Sequence, residues 1–489
     1  MRMELACHPD DAVRLSRMPA FAPLRQGRTV SRRCKLLWHD EPEHTLTARG
    51  LVLAEHGGTW SLERHHPGPN AWPPAAPPPV VAEAIERDAL AEDAHPTAEP
   101  FARFEGRDAL HPLSVDGAAV TMTIRRGTLY VGTTTAPACR ILLDGAEPAV
   151  LHVALAVAMA VRVEVPRASL SAEAIALRDG TPPAPRRLGA PTLPADHEEP
   201  GTIGGAFRHT LGHLTDVLLH HAPLALHAHH GTEPVHQARV AVRRARSALS
   251  LFRAGLAHPM LDRASGGLKD LGSRLGPSRD WDVFVTETAP AVQACFPEDM
   301  RLQRLMTAAE HRRRDCHTLL HAYLTSPDFR ALGVELAWLA GSTGWIHEAR
   351  GADATDPTLS TFAAGVMRRR LRKLRGAGKN IATLDVPALH NLRLRAKRTR
   401  YAAEVFVPLY PGKASDRFVR RLSRLQQALG VLNDGAVAAD LMTELGGPAG
   451  RHGYAIGLVL GFIAARGGEI RPAVLAAWEK FRRVAPFWA

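Results

Sequence analysis

Two segments of the 489-residue chain carry the same arrangement of arginines around one histidine. VHQARVAVRRARSALSLF (235–252) matches LHNLRLRAKRTRYAAEVF (389–406) at an offset of 154. His236 pairs with His390, Arg239 with Arg393, Arg244 with Arg398, Arg246 with Arg400 and Phe252 with Phe406. The frame continues without a gap, from Leu268, Leu271, Leu275, Gly276, Asp280 and Val283 to Leu422, Leu425, Leu429, Gly430, Asp434 and Val437. One unit has been duplicated. At about 100° per residue of helix, His236, Arg239, Arg243 and Arg246 share an arc of roughly 80°. Ala238, Ala241, Val242, Ala245, Ala248, Leu249 and Phe252 take the other side, which is the expected core face. The second copy repeats the scheme with His390, Arg393, Lys397 and Arg400. One cation per turn of about 5.4 Å can follow a chain of phosphates. Arginine forks suit phosphate oxygens, which they bind by charge-assisted and often bidentate bonds.

A charge strip on a helix is ordinarily a solvated face, and two features argue for anion binding here. The strips read as lacking acidic partners at i+3 or i+4, so their cations repel until an anion arrives. Further basic clusters also stand close in sequence, at Arg312–Arg314, at Arg368–Arg370 with Arg372, Lys373, Arg375 and Lys379, and at Arg420, Arg421 and Arg424. The expected anion site is therefore His236, Arg239, Arg243, Arg244 and Arg246 with His390, Arg393, Lys397, Arg398 and Arg400. Arg369, Arg372, Lys373, Lys379, Arg421 and Arg424 are added to it as the neighbouring cations. The two histidines, held largely neutral by adjacent positive charge, are expected to donate to phosphate rather than ligate metal. Asp280 and Asp434 are expected to cap a helix or pair with a repeat arginine. His209/His213 and His317/His321 have the i, i+4 spacing that lets imidazoles share an ion, but no HExxH glutamate or third ligand accompanies them. No metal and no cofactor is expected.

The elements that must position these residues fall into two textures. Lys+Arg number 61 against 49 Asp+Glu, a net of +12 with pI near 10.0, which points to a polyanionic partner. Residues 1–190 hold 21 basic and 22 acidic residues, so the whole surplus lies beyond them. Thr121–Arg126 and Thr128–Thr133 read as a hairpin about Gly127, and Gly50–Glu55 with Thr59–Glu63 as another about Gly57-Gly58. Pro67–Pro79 reads as a loop, Val150–Val161 as a buried helix and 179–200 as a Pro/Gly-rich linker. After 200, apolar residues recur at three and four positions between Gly/Pro breaks, as long helices do. The five cysteines are scattered without a CxxC, against a disulfide framework or cysteine zinc site. The first residues turn acidic before a signal-peptide core can form. The most apolar runs are about half the ~20 residues of a membrane span. A cytoplasmic protein without membrane contact is expected.

The paired motifs, with LGVLNDGAVAADLM farther on, resemble the two halves of a CHAD domain, the histidine-containing α-helical domain. The resemblance covers 201–485, with copies around 235–287 and 389–441. It implies an all-α domain of two pseudo-symmetric helical bundles whose basic faces line a groove that binds inorganic polyphosphate, with association to polyphosphate granules. LGPSRDWD (275–282) departs from the second copy, with Ser278-Arg279 against Leu432-Asn433. Residues 1–178 are similar to a CYTH domain, the triphosphate-tunnel fold, through WHDEPEHTLTARGLVLAEHGGTWSLER (38–64). The implied fold is an α+β tunnel-like antiparallel barrel whose carboxylates would hold divalent metal. Here RMELA keeps Glu4 but has Arg2 and Ala6 where that family's ExExK strand has Glu and Lys. CRILLDG (139–145) puts Arg140 and Leu142 at acidic positions. The resemblance therefore implies a degenerate, non-catalytic tunnel. Two other functions stay open: an active tunnel-type triphosphatase or phosphotransfer enzyme, and a nucleic-acid-binding basic helical protein. Tyr401 alone interleaves with the motif cations, which disfavours base stacking.

Overall fold

The computed structural model describes residues 1–15, 18–48, 50–64, 84–85, 98–166, 168–181, 193, 201–350, 358–467 and 470–488. The proline-rich loop expected at 67–79 and nearly all of the expected linker at 179–200 lie outside them.

The N-terminal half is built from β1 (Arg2–Cys7), α1 (Pro9–Leu15), β2 (Val30–Asp40), α2 (Thr45–Ala48), β3 (Leu51–His56), β4 (Thr59–Arg64) and β5 (Ala84–Ile85). It continues with β6 (Glu99–Val115), β7 (Ala118–Val131), β8 (Thr134–Gly145), α3 (Glu147–Ala160), β9 (Val163–Glu164) and α4 (Leu170–Arg178). The strands make one sheet of nine in the order β5-β4-β3-β2-β6-β7-β8-β1-β9, with antiparallel neighbours throughout. The β3–β4 hairpin turns at Gly57 and Gly58, whose φ of 59° and 78° only glycine adopts freely. The hairpin expected about Gly127 does not form. Residues 118–131 are a single strand, and the turns fall at Asp116-Gly117 and after Val131. Gly127 instead faces Gly106 across β6–β7, where a Cβ on either would collide with the partner backbone. The glycines serve a close approach of two strands rather than a reversal.

The helical half comprises α5 (Ile203–Leu224), α6 (Glu233–Phe252), α7 (Pro259–Val283), α8 (Ala289–Cys295), α9 (Met300–Leu324) and α10 (Pro327–Gly341). Then follow α11 (Gly344–Arg350), α12 (Leu359–Ala377), α13 (Val386–Phe406), α14 (Lys413–Glu444), α15 (Gly453–Gly467) and α16 (Ile470–Arg482). Sequence signals start these helices. Thr202, Ser326, Thr358 and Asp385 accept from backbone N–H groups of the first turn, and proline occupies the first turn of α6, α7, α10 and α13. The expected apolar side of α6 is buried throughout, from Ala238 to Phe252. The duplication is visible in space. Phe252 and its repeat equivalent Phe406 meet edge to face at 5.9 Å, so equivalent positions of the two copies pack against each other.

The two halves share one apolar core, with α3 as the seam. α3 lies between the sheet and α10, and both of its ends are held. Arg330 Nε donates to the Ala158 carbonyl at 2.8 Å, and Trp338 Nε1 donates to the Glu147 carbonyl at 3.2 Å. The Glu147 carboxylate accepts from Gly344 N at 2.7 Å, from Thr343 N at 3.3 Å and from the Ser342 hydroxyl. Glu147→Ala should therefore cost about 2 kcal/mol, the cost of stranding donors of a charge-assisted network. Glu147→Gln should recover part of that loss. Urea unfolding of the three proteins checks the ranking.

Candidate functional site

α6 and α13 cross with their basic strips on a common groove of about 610 Å³. Arg239, Arg243 and Arg246 reach it from α6, and Lys397, Arg398 and Tyr401 from α13. Arg253 and Arg370 line it too. A second recess of about 270 Å³ shares Ser250, Arg370 and Arg398 with the first and adds Arg369, Lys373 and Arg395. Among the described residues neither lining contains a carboxylate. Arg243 and its repeat equivalent Lys397 thus face one space, which a charge strip that merely met solvent would not require.

The electrostatics follow from that convergence. Burial, then the charges of Arg393, Arg243, Arg239 and Arg400, pull the Lys397 ammonium down to about 7. Burial, with Arg398 and Arg369 beside it, brings Arg370 down to about 10. Crowded positive charge thus adds to burial in loosening the Lys397 proton near neutral pH. His236 is half-buried, and its pKa is lowered by burial first and by Arg279, Arg243 and Arg239 after it. The direction is as expected, but desolvation outranks the neighbouring cations.

Several cations have fixed partners. Arg239 pairs with Asp280 at 2.9 Å, the repeat arginine contact expected for that aspartate. Arg243 Nε donates to Tyr401 Oη at 2.7 Å. Glu404 corrects the reading that the strips lack acids at i+4. It lies 3.5 Å from Arg400 on its own helix and 3.2 Å from Arg244 across the interface. Arg244 and Arg400 are thus held in the helix–helix contact, while Arg239, Arg243, Arg246, Lys397 and Arg398 line the open groove. Arg393 is half-buried on α13 and acts on Lys397. His390, Arg372, Lys379 and Arg424 are exposed and Arg421 is half-buried, all of them outside both linings. The sequence reading left Arg370, Arg395 and Tyr401 out of the site. Arg395 corresponds to Ala241 in the first copy, so the repeat comparison conceals it.

His317 and His321 turn to separate partners. His317 Nε2 meets Asp282 Oδ1 at 2.9 Å, alongside Arg313 at 2.7 Å, whereas His321 Nε2 meets the Ala225 carbonyl at 2.9 Å. His209 and His213 are buried in α5. Two cysteines that look scattered in sequence are neighbours. The sulfurs of Cys7 and Cys139 lie 3.3 Å apart across β1 and β8.

The sheet encloses a second polar space, a chamber of about 680 Å³ walled by β1–β4 and β6–β8 and closed by the start of α4. Arg140 and Leu142 line it as the tunnel resemblance implied, but so do Glu63, Asp108 and Asp144, which that motif comparison did not count. Arginines occupy most of its acids: Arg125 binds Asp108 through two bonds of 3.0 and 2.9 Å, Arg2 meets Asp144 at 2.6 Å and Arg140 meets Glu4 at 2.8 Å. Arg140 also pairs with Glu173. Burial raises the pKa of Glu4 despite Arg140, and raises that of Glu63 although the polar groups of Ser171 and Trp38 pull it the other way.

With this geometry in place, the comparisons with known proteins can be read. The family model for the CHAD domain matches residues 209–443. The chain carries a CHAD domain. A crystal structure of the CHAD domain from the plant Ricinus communis is similar at 28% identity and a TM-score of 0.52, over 62% of this chain and 98% of that one. PptA from Streptomyces chartreusis aligns at 18% identity and a TM-score of 0.42, over 57% of this chain and 98% of that one. No curated protein matches. The matched residues span α6, α12 and α13 and so contain the whole groove. Among the described residues no helix is long and apolar enough to cross a membrane.

Proposed function

We propose that this protein binds inorganic polyphosphate along the groove between α6 and α13 of its CHAD domain. The observation that carries this reading is the lining. Arg239, Arg243, Arg246, Arg370, Lys397 and Arg398 share one space, and no carboxylate lines it among the described residues. Cations from two repeat copies can bind successive phosphates of one chain. Each contact is modest, the sum is strong, and the affinity falls as salt rises. The working division is a degenerate CYTH-like domain at 1–178, a linker at 179–200 and the helical domain at 201–485. The chamber of the first domain is proposed to be non-catalytic, because Glu4, Asp108 and Asp144 are already engaged by Arg140, Arg125 and Arg2, which leaves Glu63 as the one lining acid among the described residues without an arginine ion pair. On this reading the protein works in the cytoplasm, where polyphosphate granules would be its binding surface.

Titration of the purified chain with long-chain polyphosphate tests this, beside tripolyphosphate plus Mn²⁺ with phosphate release followed. Tight, salt-sensitive binding without release is expected. Phosphate release would move catalysis in the chamber to the front, and failure to bind the long chain would end the groove reading.

A further inference from the structure

The N-terminal sheet carries a second row of cations, on the face turned away from its chamber. Arg32, Asp108, Arg125 and Arg140 form a cross-strand row that lines the chamber. Successive residues of a strand point to opposite faces, so the adjacent row, Arg33, Arg107 and Arg126, lies on the outer face. Arg33 stands opposite Arg107, and Arg107 opposite Arg126. Three guanidinium stems thus stand abreast on β2, β6 and β7, with strands about 4.7–4.9 Å apart. All three are exposed, and among the described residues none has an ion-pair partner. In this row and the two flanking it, the only acid is Glu105, and Arg103 holds it at 3.1 Å.

Like charges directly opposite on neighbouring strands destabilise a sheet. A ladder of three whose one neighbouring acid among the described residues, Glu105, is already paired with Arg103 is a strain that a linear polyanion would relieve. Arginine forks bind phosphate oxygens, and the spacing of adjacent strands matches the few-ångström repeat of a phosphate chain. The ladder's row and its two flanking rows contain no aromatic residue. Tyr130, one row farther, lies under the Arg103 guanidinium at 4.3 Å. Bases would have nothing to stack on, which favours polyphosphate over nucleic acid. We propose that the Arg33–Arg107–Arg126 ladder is a second polyphosphate contact, separate from the groove between α6 and α13. The ligand class rests on the function proposed above; the ladder itself does not depend on the groove.

The test uses the full chain in four forms: parent, ladder variant (Arg33→Thr, Arg107→Thr, Arg126→Thr), groove variant (Arg239→Ala, Arg243→Ala, Arg393→Ala, Lys397→Ala) and both combined. The probes are long-chain polyphosphate and single-stranded DNA at equal phosphate concentration. The groove variant should keep weak, salt-sensitive polyphosphate binding, and the ladder substitutions should lower it further by about 10-fold. They should also flatten the plot of log affinity against log salt by about two to three units, near one per lost phosphate contact. Threonine suits an exposed strand, so the ladder variant alone should melt no lower than the parent. If the groove variant's residual binding is absent, or is unchanged by the ladder substitutions, the ladder proposal is overturned and the groove reading stands. If the ladder substitutions weaken DNA binding but not polyphosphate binding, the proposal is likewise overturned. If only the ladder substitutions matter, the ladder stands and the groove reading falls.

Discussion

Replacing Arg239, Arg243, Arg393 and Lys397 together by alanine should weaken polyphosphate binding on the order of 1,000-fold while leaving helix content unchanged. Arg239, Arg243 and Lys397 line the groove, and about 1.4 kcal/mol from each of these three charge-assisted contacts makes about 4 kcal/mol, which is the same quantity as 1,000-fold. Arg393 is removed with them because its charge acts on Lys397. The fold should survive, because these side chains leave their helices on the side away from the buried stripe of Ala238, Ala241, Ala245, Leu392 and Ala396. Arg239 gives up its pair with Asp280, but that pair is partly exposed and contributes little. Melting temperature should hold or rise, since four crowded cations are gone. Arg421→Ala with Arg424→Ala, which removes two cations rather than four, is the control, so a net-charge effect predicts about half the loss in free energy. Both lie outside the groove lining, so this variant should bind within a few-fold of the parent. Calorimetric titration and circular dichroism measure both quantities. A control loss of about half the groove variant's in free energy would mean that net charge matters and the groove does not.

The residues that were legible in sequence are those whose partners repeat along one helix. Arg239, Arg243 and Lys397 sit on arcs that the 3.6-residue period fixes, and duplication gave the arcs twice. What sequence spacing cannot encode is the approach of separate elements. Glu404 joins Arg244 across the helix interface, 160 residues away, and no count along α6 would find it. Arg370 enters from α12, which lies outside both quoted motif copies. In the chamber, Glu63, Asp108 and Asp144 come from three strands, and only the register brings them together. Gly127 shows the limit of a local rule. Glycine between two β-branched runs marks a turn when φ must be positive, yet it also marks backbone contact between long strands, and the sequence is the same in both cases.

Lys397 gives the groove a pH dependence of definite sign. In the free protein its pKa is down to about 7, through burial and then Arg393, Arg243, Arg239 and Arg400, so above neutrality the side chain is largely uncharged. A phosphate chain in the groove offsets those charges and raises the pKa towards its ordinary value. Between the free and bound values, binding must take up a proton, and affinity falls as pH rises. Below pH 7 the lysine is charged in both states and contributes no slope. The expected result is a polyphosphate affinity that drops by close to 10-fold from pH 7.5 to 8.5, the limit for one coupled proton. Folding of the free protein should show the opposite trend. A cation whose pKa is depressed by folding binds more protons unfolded than folded, so this group's contribution to stability rises with pH above 7. Lys397→Met should flatten both profiles, and Lys397→Arg should flatten the binding profile while keeping its affinity high at pH 8.5. Long chains are needed for the titration, so that their few titrating end groups do not contribute. A slope that survives in Lys397→Met would assign the proton to another group, and a flat parent profile would mean that Lys397 stays charged in the empty groove.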